Sequence, residues 1–226
     1  MESGYAIVRV AGIPWQARKN VDGWPNRAGM YCDDRANELC IRLIDYPAGS
    51  TEPRHVHAGR HATTVLAGRA IIDGVTLGPL DAVLGPSNEP HGPLHYPDGC
   101  KLLSAFQGSY FHSEVHELSG NKAYRLIQSA QIPWRAAGTG CEAKTLVDRG
   151  CGPLLLQALR FAPGARLGAR EHPQLHSALV VEGSAMLGGD TLGEWDFFHV
   201  TGGERTPVAF PGGATLLAIS LHAAAA

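Results

Sequence analysis

Short apolar segments with alternating hydrophobic and polar positions recur along the chain, and Gly and Pro separate them. Examples are LCIRLIDY (39–46), ATTVLAGRAII (62–72), LLLQALRF (154–161) and ATLLAISL (214–221). Alternation of this kind, bounded by turn residues, is typical of β-strands. No segment has a helical period of useful length, and 28 Gly and 15 Pro disfavour long helices. The pattern predicts an all-β protein built of barrels or sandwiches.

The chain also repeats itself. Residues 41–71 align without a gap to residues 156–186, at an offset of 115 residues. The motif IPW occurs at 13–15 and again at 132–134, and HYPDGCKLLSAF (95–106) resembles AFPGGATLLAIS (209–220). Because an internal repeat fixes the architecture, we predict two tandem homologous domains, residues 1–118 and residues 119–226.

The composition limits the binding partners and the cellular compartment that we expect for this protein. The net charge of −2 provides no basic field for a nucleic acid or an acidic membrane surface. No leader-like start and no apolar stretch of about 20 residues is present, so we expect a soluble cytoplasmic protein. Five cysteines without a C-x-x-C pair fit neither a disulfide framework nor a thiolate zinc site, and we expect reduced thiols.

Histidines carry the candidate chemistry. In H-V-H-A-G-R-H, His55 and His57 are two residues apart, so on a strand they face the same side, and a tight turn can return His61 to them. A fourth ligand must come from another strand, and His91 or His95 can supply it. Four neutral imidazoles suit Fe, Zn, Cu or Ni and argue against Mg or Ca. We predict one divalent transition metal per chain.

These motifs resemble the cupin superfamily, whose first motif reads G-x5-H-x-H-x3,4-E-x6-G and whose second is centred on P-x-G-x2-H. The first motif is matched by Gly49, His55, His57, His61 and Gly68, with His61 where the family usually has Glu. Gly85-Pro86 and Pro90-His91 resemble the second motif more loosely, and His95 stands near the usual Asn. The resemblance implies two jelly-roll barrels, the double-stranded β-helix of cupins, and makes a homodimer plausible.

Within the cupins, residues 47–57 and 97–102 resemble the ChrR-like group. That resemblance points to two kinds of protein: ChrR-like cupins bind zinc in an anti-sigma factor, and related all-histidine cupins resemble iron(II) dioxygenases that cleave diketones and dihydroxyacetophenone. In the second repeat, Arg170 and Arg205 occupy the positions of His55 and His91, while His172 and His176 remain. Guanidinium groups repel a cation, so we expect a degenerate metal site there.

The leading functional hypothesis is a mononuclear non-haem Fe(II) dioxygenase that acts with O₂ on a small dicarbonyl or a hydroxylated aromatic ketone. An ion held by neutral ligands keeps its charge and can polarise an enolate, provided that its coordination leaves a position open. No catalytic side chain beyond the ligands is assigned. One alternative is a non-enzymatic zinc-binding regulatory module of the ChrR type. Another is a zinc- or nickel-dependent isomerase, lyase or hydrolase.

Overall fold

The structure is a computed structural model that describes most of the chain. Described are residues 4–19, 23–109, 124–148, 152–168, 177–200 and 207–221, and for residues 112–114 the backbone alone. Within these residues the strands are, in chain order, β1 (Tyr5–Val8), β2 (Gln16–Lys19), β3 (Pro25–Asp34), β4 (Leu39–Tyr46), β5 (Ser50–Glu52), β6 (His55–His57), β7 (Arg60–Gly68), β8 (Ala70–Ile72), β9 (Val75–Leu77), β10 (Ala82–Gly85), β11 (Leu94–Tyr96), β12 (Cys100–Gln107), β13 (His112–Glu114), β14 (Arg125–Ile127), β15 (Arg135–Gly138), β16 (Cys141–Val147), β17 (Leu154–Phe161), β18 (Ala165–Leu167), β19 (Ser177–Gly183), β20 (Ala185–Leu187), β21 (Asp190–Leu192), β22 (Phe197–Val200), β23 (Val208–Phe210) and β24 (Ala214–Leu221).

The predicted all-β class is confirmed. Helical structure in the described residues is limited to two 3-10 turns, Val10–Gly12 and Ser129–Gln131. No helix among those residues is long and apolar enough to cross a membrane. The alternation of apolar and polar positions seen in the sequence corresponds to strands that bury one face, because successive side chains of a strand point to opposite sides.

The chain divides into two compact units, and the first comprises residues 14–131. Its larger sheet has seven strands in the order β14-β10-β7-β12-β4-β3-β2. A four-stranded sheet, β5-β11-β8-β9, and the pair β13-β6 complete it, and all of these pairings are antiparallel. Apolar side chains from both larger sheets form its core, among them Val65, Ile72, Leu77, Val83 and Leu102.

The second unit comprises residues 1–13 and 132–226. Its seven-stranded sheet runs β1-β22-β19-β24-β17-β16-β15, and its four-stranded sheet runs β18-β23-β20-β21. Strands at equivalent places in the repeat occupy equivalent places in these sheets. For example, β10 and β22 lie 115 residues apart in sequence and are each the second strand of their sheet. The duplicated sequence therefore forms a duplicated sheet arrangement.

The first strand of each repeat pairs with strands of the other repeat. The segments YAIV (5–8) and YRLI (124–127) stand at matching places before the two IPW motifs. Strand β1 pairs with β22 of the second unit, and β14 pairs with β10 of the first unit. The predicted domains, residues 1–118 and 119–226, follow the repeat, whereas the compact units exchange their opening strands.

A buried or partly buried aspartate holds each exchanged segment. In the first unit, Asp81 accepts hydrogen bonds from the backbone N–H groups of Ser129 (2.7 Å) and Gly78 (2.9 Å). At the matching place in the second unit, Asp196 accepts from Val10 (2.9 Å) and Gly193 (3.0 Å), and it pairs with the guanidinium of Arg9. Such charge-assisted bonds to backbone donors hold the segment directly after each incoming strand, and so fix where that strand ends.

Candidate metal centre

The four predicted histidine ligands are brought together in the first unit. His55 and His57 are the ends of β6, His61 is the second residue of β7, and His91 precedes β11. The backbones of His55 and His91 exchange two hydrogen bonds, of 3.0 and 2.9 Å, which fix the loop that carries His91 beside β6. All four side chains are buried, with 1–7% of each residue exposed.

Donor atoms of these rings converge. The Nε2 atoms of His55 and His57 are 3.1 Å apart, and one nitrogen from each of His55, His57 and His91 lies within 4.8 Å of the others. The ring of His61 stands alongside, with its centroid 4.5 Å from that of His57 and 4.7 Å from that of His91. The geometry is that of a three-histidine group with a fourth imidazole packed against it.

His95, the alternative to His91, lies elsewhere. Its side chain is exposed on β11, and its Nδ1 is 3.0 Å from Oγ1 of Thr51. The alternation of a strand explains the difference, because His95 lies between the buried Leu94 and Tyr96 and so faces the opposite side. His91, and not His95, is the residue placed beside the other three rings.

The backbone orients two of the rings. Nδ1 of His55 lies 2.8 Å from the carbonyl oxygen of Pro53, and Nδ1 of His91 lies 3.4 Å from that of Glu89. Since a carbonyl oxygen only accepts, the Nδ1 of His55 carries the proton and its Nε2 keeps a lone pair. A hydrogen bond of this kind from the far ring nitrogen is the usual support of a metal-ligating histidine.

His61 fits the same role for two reasons. Burial lowers its pKa well below the ordinary value of 6.5, and the imidazoles of His91, His57 and His55 lower it further, so the ring is neutral. Its buried Nδ1 has no hydrogen-bond partner within the described part of the chain. An unsatisfied buried nitrogen is costly, and coordination of an ion through Nδ1 would offset that cost. The donor set as a whole therefore suits a transition metal.

Gly85 makes room for the His61 ring. A Cβ atom on Gly85 would lie 2.1 Å from Cε1 of His61, far inside ordinary contact distance. Gly85 is the last residue of β10 and is the cross-strand partner of His61. On the other side, Phe106 packs against His61 and His57, with ring centroids 5.5 and 5.0 Å away. Gly85 on one side and Phe106 on the other therefore restrict the position of the His61 ring.

A carboxylate that the sequence analysis did not single out lies beside this centre. Glu52 accepts hydrogen bonds from the hydroxyl groups of Tyr46 (2.7 Å) and Tyr96 (2.9 Å), and its Oε1 is 3.9 Å from Nε2 of His55. Burial raises the pKa of Glu52, but the adjacent His55 and the two phenols outweigh that effect, and the pKa is lowered. The group is therefore an ionised, partly buried carboxylate.

The second repeat shows that the fold does not require this polar group. Tyr46 and Tyr96 stack with their centroids 4.3 Å apart, and Phe161 and Phe210 stack in the same way at the equivalent place, 3.9 Å apart. Leu167, which is buried, stands where Glu52 would be. Comparison of the two repeats, residue by residue, is the sequence signal that could have identified Glu52.

The histidines and Glu52 line one cavity of about 280 Å³. Apolar side chains form much of its wall, among them Ile44, Val83, Leu94, Leu102 and Phe106. Its polar lining includes Thr63 and Ser104, whose hydroxyls are 2.9 Å apart, and the equivalent residues of the second repeat are the buried Ala178 and Ala218. At these two positions the first barrel is polar and the second is apolar.

The predicted residues of the degenerate second site lie outside the described residues. These are Arg170, His172, His176 and Arg205. The expectation that the second barrel lacks a complete metal site stays a prediction.

Comparison with known proteins identifies the architecture. No protein-family profile matches the chain, and no curated protein matches it in sequence. Among solved structures, a provisionally assigned dioxygenase from Nostoc punctiforme covers 100% of this chain and 89% of its own length, with a TM-score of 0.77 and 11% identity. Salicylate 1,2-dioxygenase from Pseudoaminobacter salicylatoxidans, solved with gentisate, covers 97% and 82%, with a TM-score of 0.69 and 13% identity. Oxalate decarboxylase from Bacillus subtilis covers 100% and 79%, with a TM-score of 0.69 and 13% identity.

The chain has the bicupin fold. At these identities the likeness establishes the fold and not the reaction, because one fold supports many chemistries. The resemblance of the sequence to cupins is thereby confirmed at the level of fold. Within this bicupin fold, the buried histidine group of the first barrel indicates a site for a single transition metal.

Proposed function

We propose that the chain is a mononuclear non-haem Fe(II) dioxygenase that cleaves a small dicarbonyl or a hydroxylated aromatic ketone. His55, His57, His61 and His91 would hold the ion. The observation that carries the proposal is a group of four buried imidazoles at the wall of a small cavity, with an ionised carboxylate next to it. Two of the structural neighbours, a provisionally assigned dioxygenase and salicylate 1,2-dioxygenase, show that dioxygenases occur on this fold.

The donor set favours a redox-active ion over a hard cation. Held by neutral imidazoles, such an ion would keep its full positive charge, polarise an enolate oxygen and supply the redox chemistry that O₂ requires. A closed tetrahedral site would leave no position for a substrate, so the proposal requires a five- or six-coordinate ion.

Glu52 is placed to act as the base. It lines the cavity and its lowered pKa keeps it ionised at neutral pH. In the proposed step the C–H bond between two carbonyl groups breaks, the proton passes to a carboxylate oxygen of Glu52, and the electron pair stays on the substrate as an enolate. Tyr46 and Tyr96 hold the carboxylate by donating to both of its oxygens.

Apolar side chains line much of the wall around the proposed reacting groups. Phe106 covers His57 and His61, and the apolar side chains Ile44, Leu94 and Leu102 complete the wall. A site that excludes water strengthens electrostatic interactions within it and prevents side reactions of an activated substrate. At about 280 Å³ the cavity lies just below the usual range for ligand sites, which favours a small substrate.

The first experiment measures metal content by elemental analysis of protein purified without added metal. We expect about one iron per chain in the wild type, loss of iron in His57→Ala, and retention in His172→Ala, which alters the matching histidine of the second repeat. Oxygen uptake with a panel of diketones and hydroxyaryl ketones then tests turnover. Stoichiometric zinc without oxygen uptake would favour the zinc-binding regulatory hypothesis, and protein without metal would contradict both.

A further inference from the structure

The cavity carries more positive charge than the protein around it. The whole chain has a formal net charge of −2, yet the cavity lining includes three cationic side chains, Arg18, Lys19 and Arg42, and a single acidic one, Glu52. A bound divalent cation would add further positive charge. An enclosed site of one sign concentrates ligands of the opposite sign.

Arg42 lies in the interior of the barrel. It is 6% exposed, and it is on β4, where its cross-strand partner is Ser104. Ser104 in turn is opposite Thr63 on β7, two residues along the strand from His61. In sheet geometry the Cα atoms of Arg42 and His61 are therefore about 12 Å apart. A group bound by the guanidinium thus lies several ångströms from the histidine rings.

All three cations are specific to the first repeat. The matching residues of the second repeat are Ala137, Gly138 and Gln157. Gln157 occupies its place on β17 without difficulty and donates a hydrogen bond to Thr145. Since the equivalent sheet of the second repeat forms without these charges, the fold does not require them, and their clustering on one cavity points to a ligand.

We infer that the substrate of this cavity is a small carboxylic acid, whose carboxylate binds Arg42 while a hydroxyl or keto oxygen faces the histidine group. The inference rests on the proposed metal-dependent oxygenation and changes its substrate class, from a neutral ketone to a carboxylic acid that bears a keto or hydroxyl group. A guanidinium matches a carboxylate with two parallel hydrogen bonds. The exposed strand that carries Arg18 and Lys19 lies at the solvent side of the cavity, where these cations attract an anion as it enters. The apolar wall accommodates the hydrocarbon part between the two polar ends.

The test compares three probes that share an aromatic ring and an ortho hydroxyl group: salicylate, salicylamide and ortho-hydroxyacetophenone. Only salicylate carries a charge at neutral pH. Calorimetry with the full chain loaded with zinc should show salicylate binding about ten- to hundredfold more tightly than either neutral probe. This is the gain in affinity expected from one pair of charge-assisted hydrogen bonds. Equal affinity for the neutral probes would overturn the inference.

Variants locate the effect. Arg42→Gln introduces the residue of the second repeat and should abolish the preference for salicylate over the two neutral probes. Arg35→Gln removes the same charge from a side chain that is 88% exposed and outside the cavity lining, and it should keep the preference. Should Arg42→Gln fail to fold, Arg18→Ala on the exposed strand β2 should still weaken salicylate binding alone. A preference that survives both changes would refute the inference.

Metal-free protein supplies the last control. If the carboxylate bound the metal and not Arg42, the preference would vanish when the metal is removed, and the inference would be wrong. If the preference persists there but no oxygen uptake occurs with any acid or ketone, the inference stands and the dioxygenase proposal fails.

Discussion

Replacement of Gly85 by Ala tests whether His61 is a ligand without changing any histidine. The added Cβ atom would meet Cε1 of His61 at 2.1 Å, whereas ordinary contact begins at 3.4 Å, so the ring must move by at least about 1.3 Å. Metal–nitrogen distances tolerate only about 0.2 Å. Such a displacement would remove His61 from the proposed coordination sphere.

We expect Gly85→Ala to weaken metal binding by about ten- to a hundredfold or more, the range found when support of a ligand is lost. Competition against a chromophoric chelator measures this directly. Overpacking should also cost about 1–3 kcal/mol of folding free energy, which thermal unfolding of the metal-free protein would detect as a fall of a few degrees per kcal/mol.

Gly78→Ala is the matched control. A Cβ atom on Gly78 meets nothing within 4 Å, and the residue lies in the same unit with an ordinary φ, so this variant should keep the wild-type metal affinity. A double variant supplies the decisive comparison, because Gly85→Ala should have no further effect on metal affinity once His61 is Ala. Wild-type affinity in Gly85→Ala would refute the assignment of His61 as a ligand.

Three further predictions concern Glu52, the exchanged strand and acid stability. Glu52→Gln should keep one metal per chain but lower turnover by about 10²- to 10⁴-fold, because it removes the proposed base; loss of metal together with activity would instead make Glu52 part of the metal centre. Asp196→Asn should lower the free energy of unfolding by about 1–3 kcal/mol, because the N–H of Val10 and the guanidinium of Arg9 lose a charged acceptor. Denaturant titration measures this change, and an unchanged midpoint would count against the role of Asp196 in holding the exchanged strand. The metal-free protein should lose stability as the pH falls below about 6.5, since the unfolded chain then takes up a proton that the buried His61 resists. The slope of unfolding free energy against pH that comes from this residue, at most about 1.4 kcal/mol per pH unit, should disappear in His61→Phe and make the total slope shallower. An identical slope in that variant would contradict the lowered pKa.

The histidine motif illustrates what local spacing can predict. His55 and His57 are two residues apart on a strand and His61 follows a turn, so their convergence depends on nearby geometry that the sequence encodes. His91 and His95 could not be distinguished in this way. His91 lies in the loop before β11, and the direction in which its side chain faces depends on the path of that loop. The pairing of His91 with the backbone of His55 decides between them.

Glu52 and Arg42 illustrate what local spacing cannot predict. Each lies in an unremarkable strand sequence, and each becomes part of the site only because sheets distant in sequence close around one cavity. Tyr96 reaches Glu52 across 44 residues of sequence. The exchange of opening strands is similar, since the repeat shows where each strand belongs in sequence but not which copy of the sheet it joins.

The all-β class and the group of histidines could be predicted from the chain's own pattern, because alternation and i, i+2 spacing act over a few residues, and the duplication is visible on direct alignment of the two halves. The folded chain was needed to show that His91 joins that group, that Glu52 stands beside it, that cationic side chains line the same cavity, and that the first strand of each repeat completes the other unit. These features depend on long-range strand pairing and on closure of the sheets, where side chains far apart in sequence are brought within contact of one another.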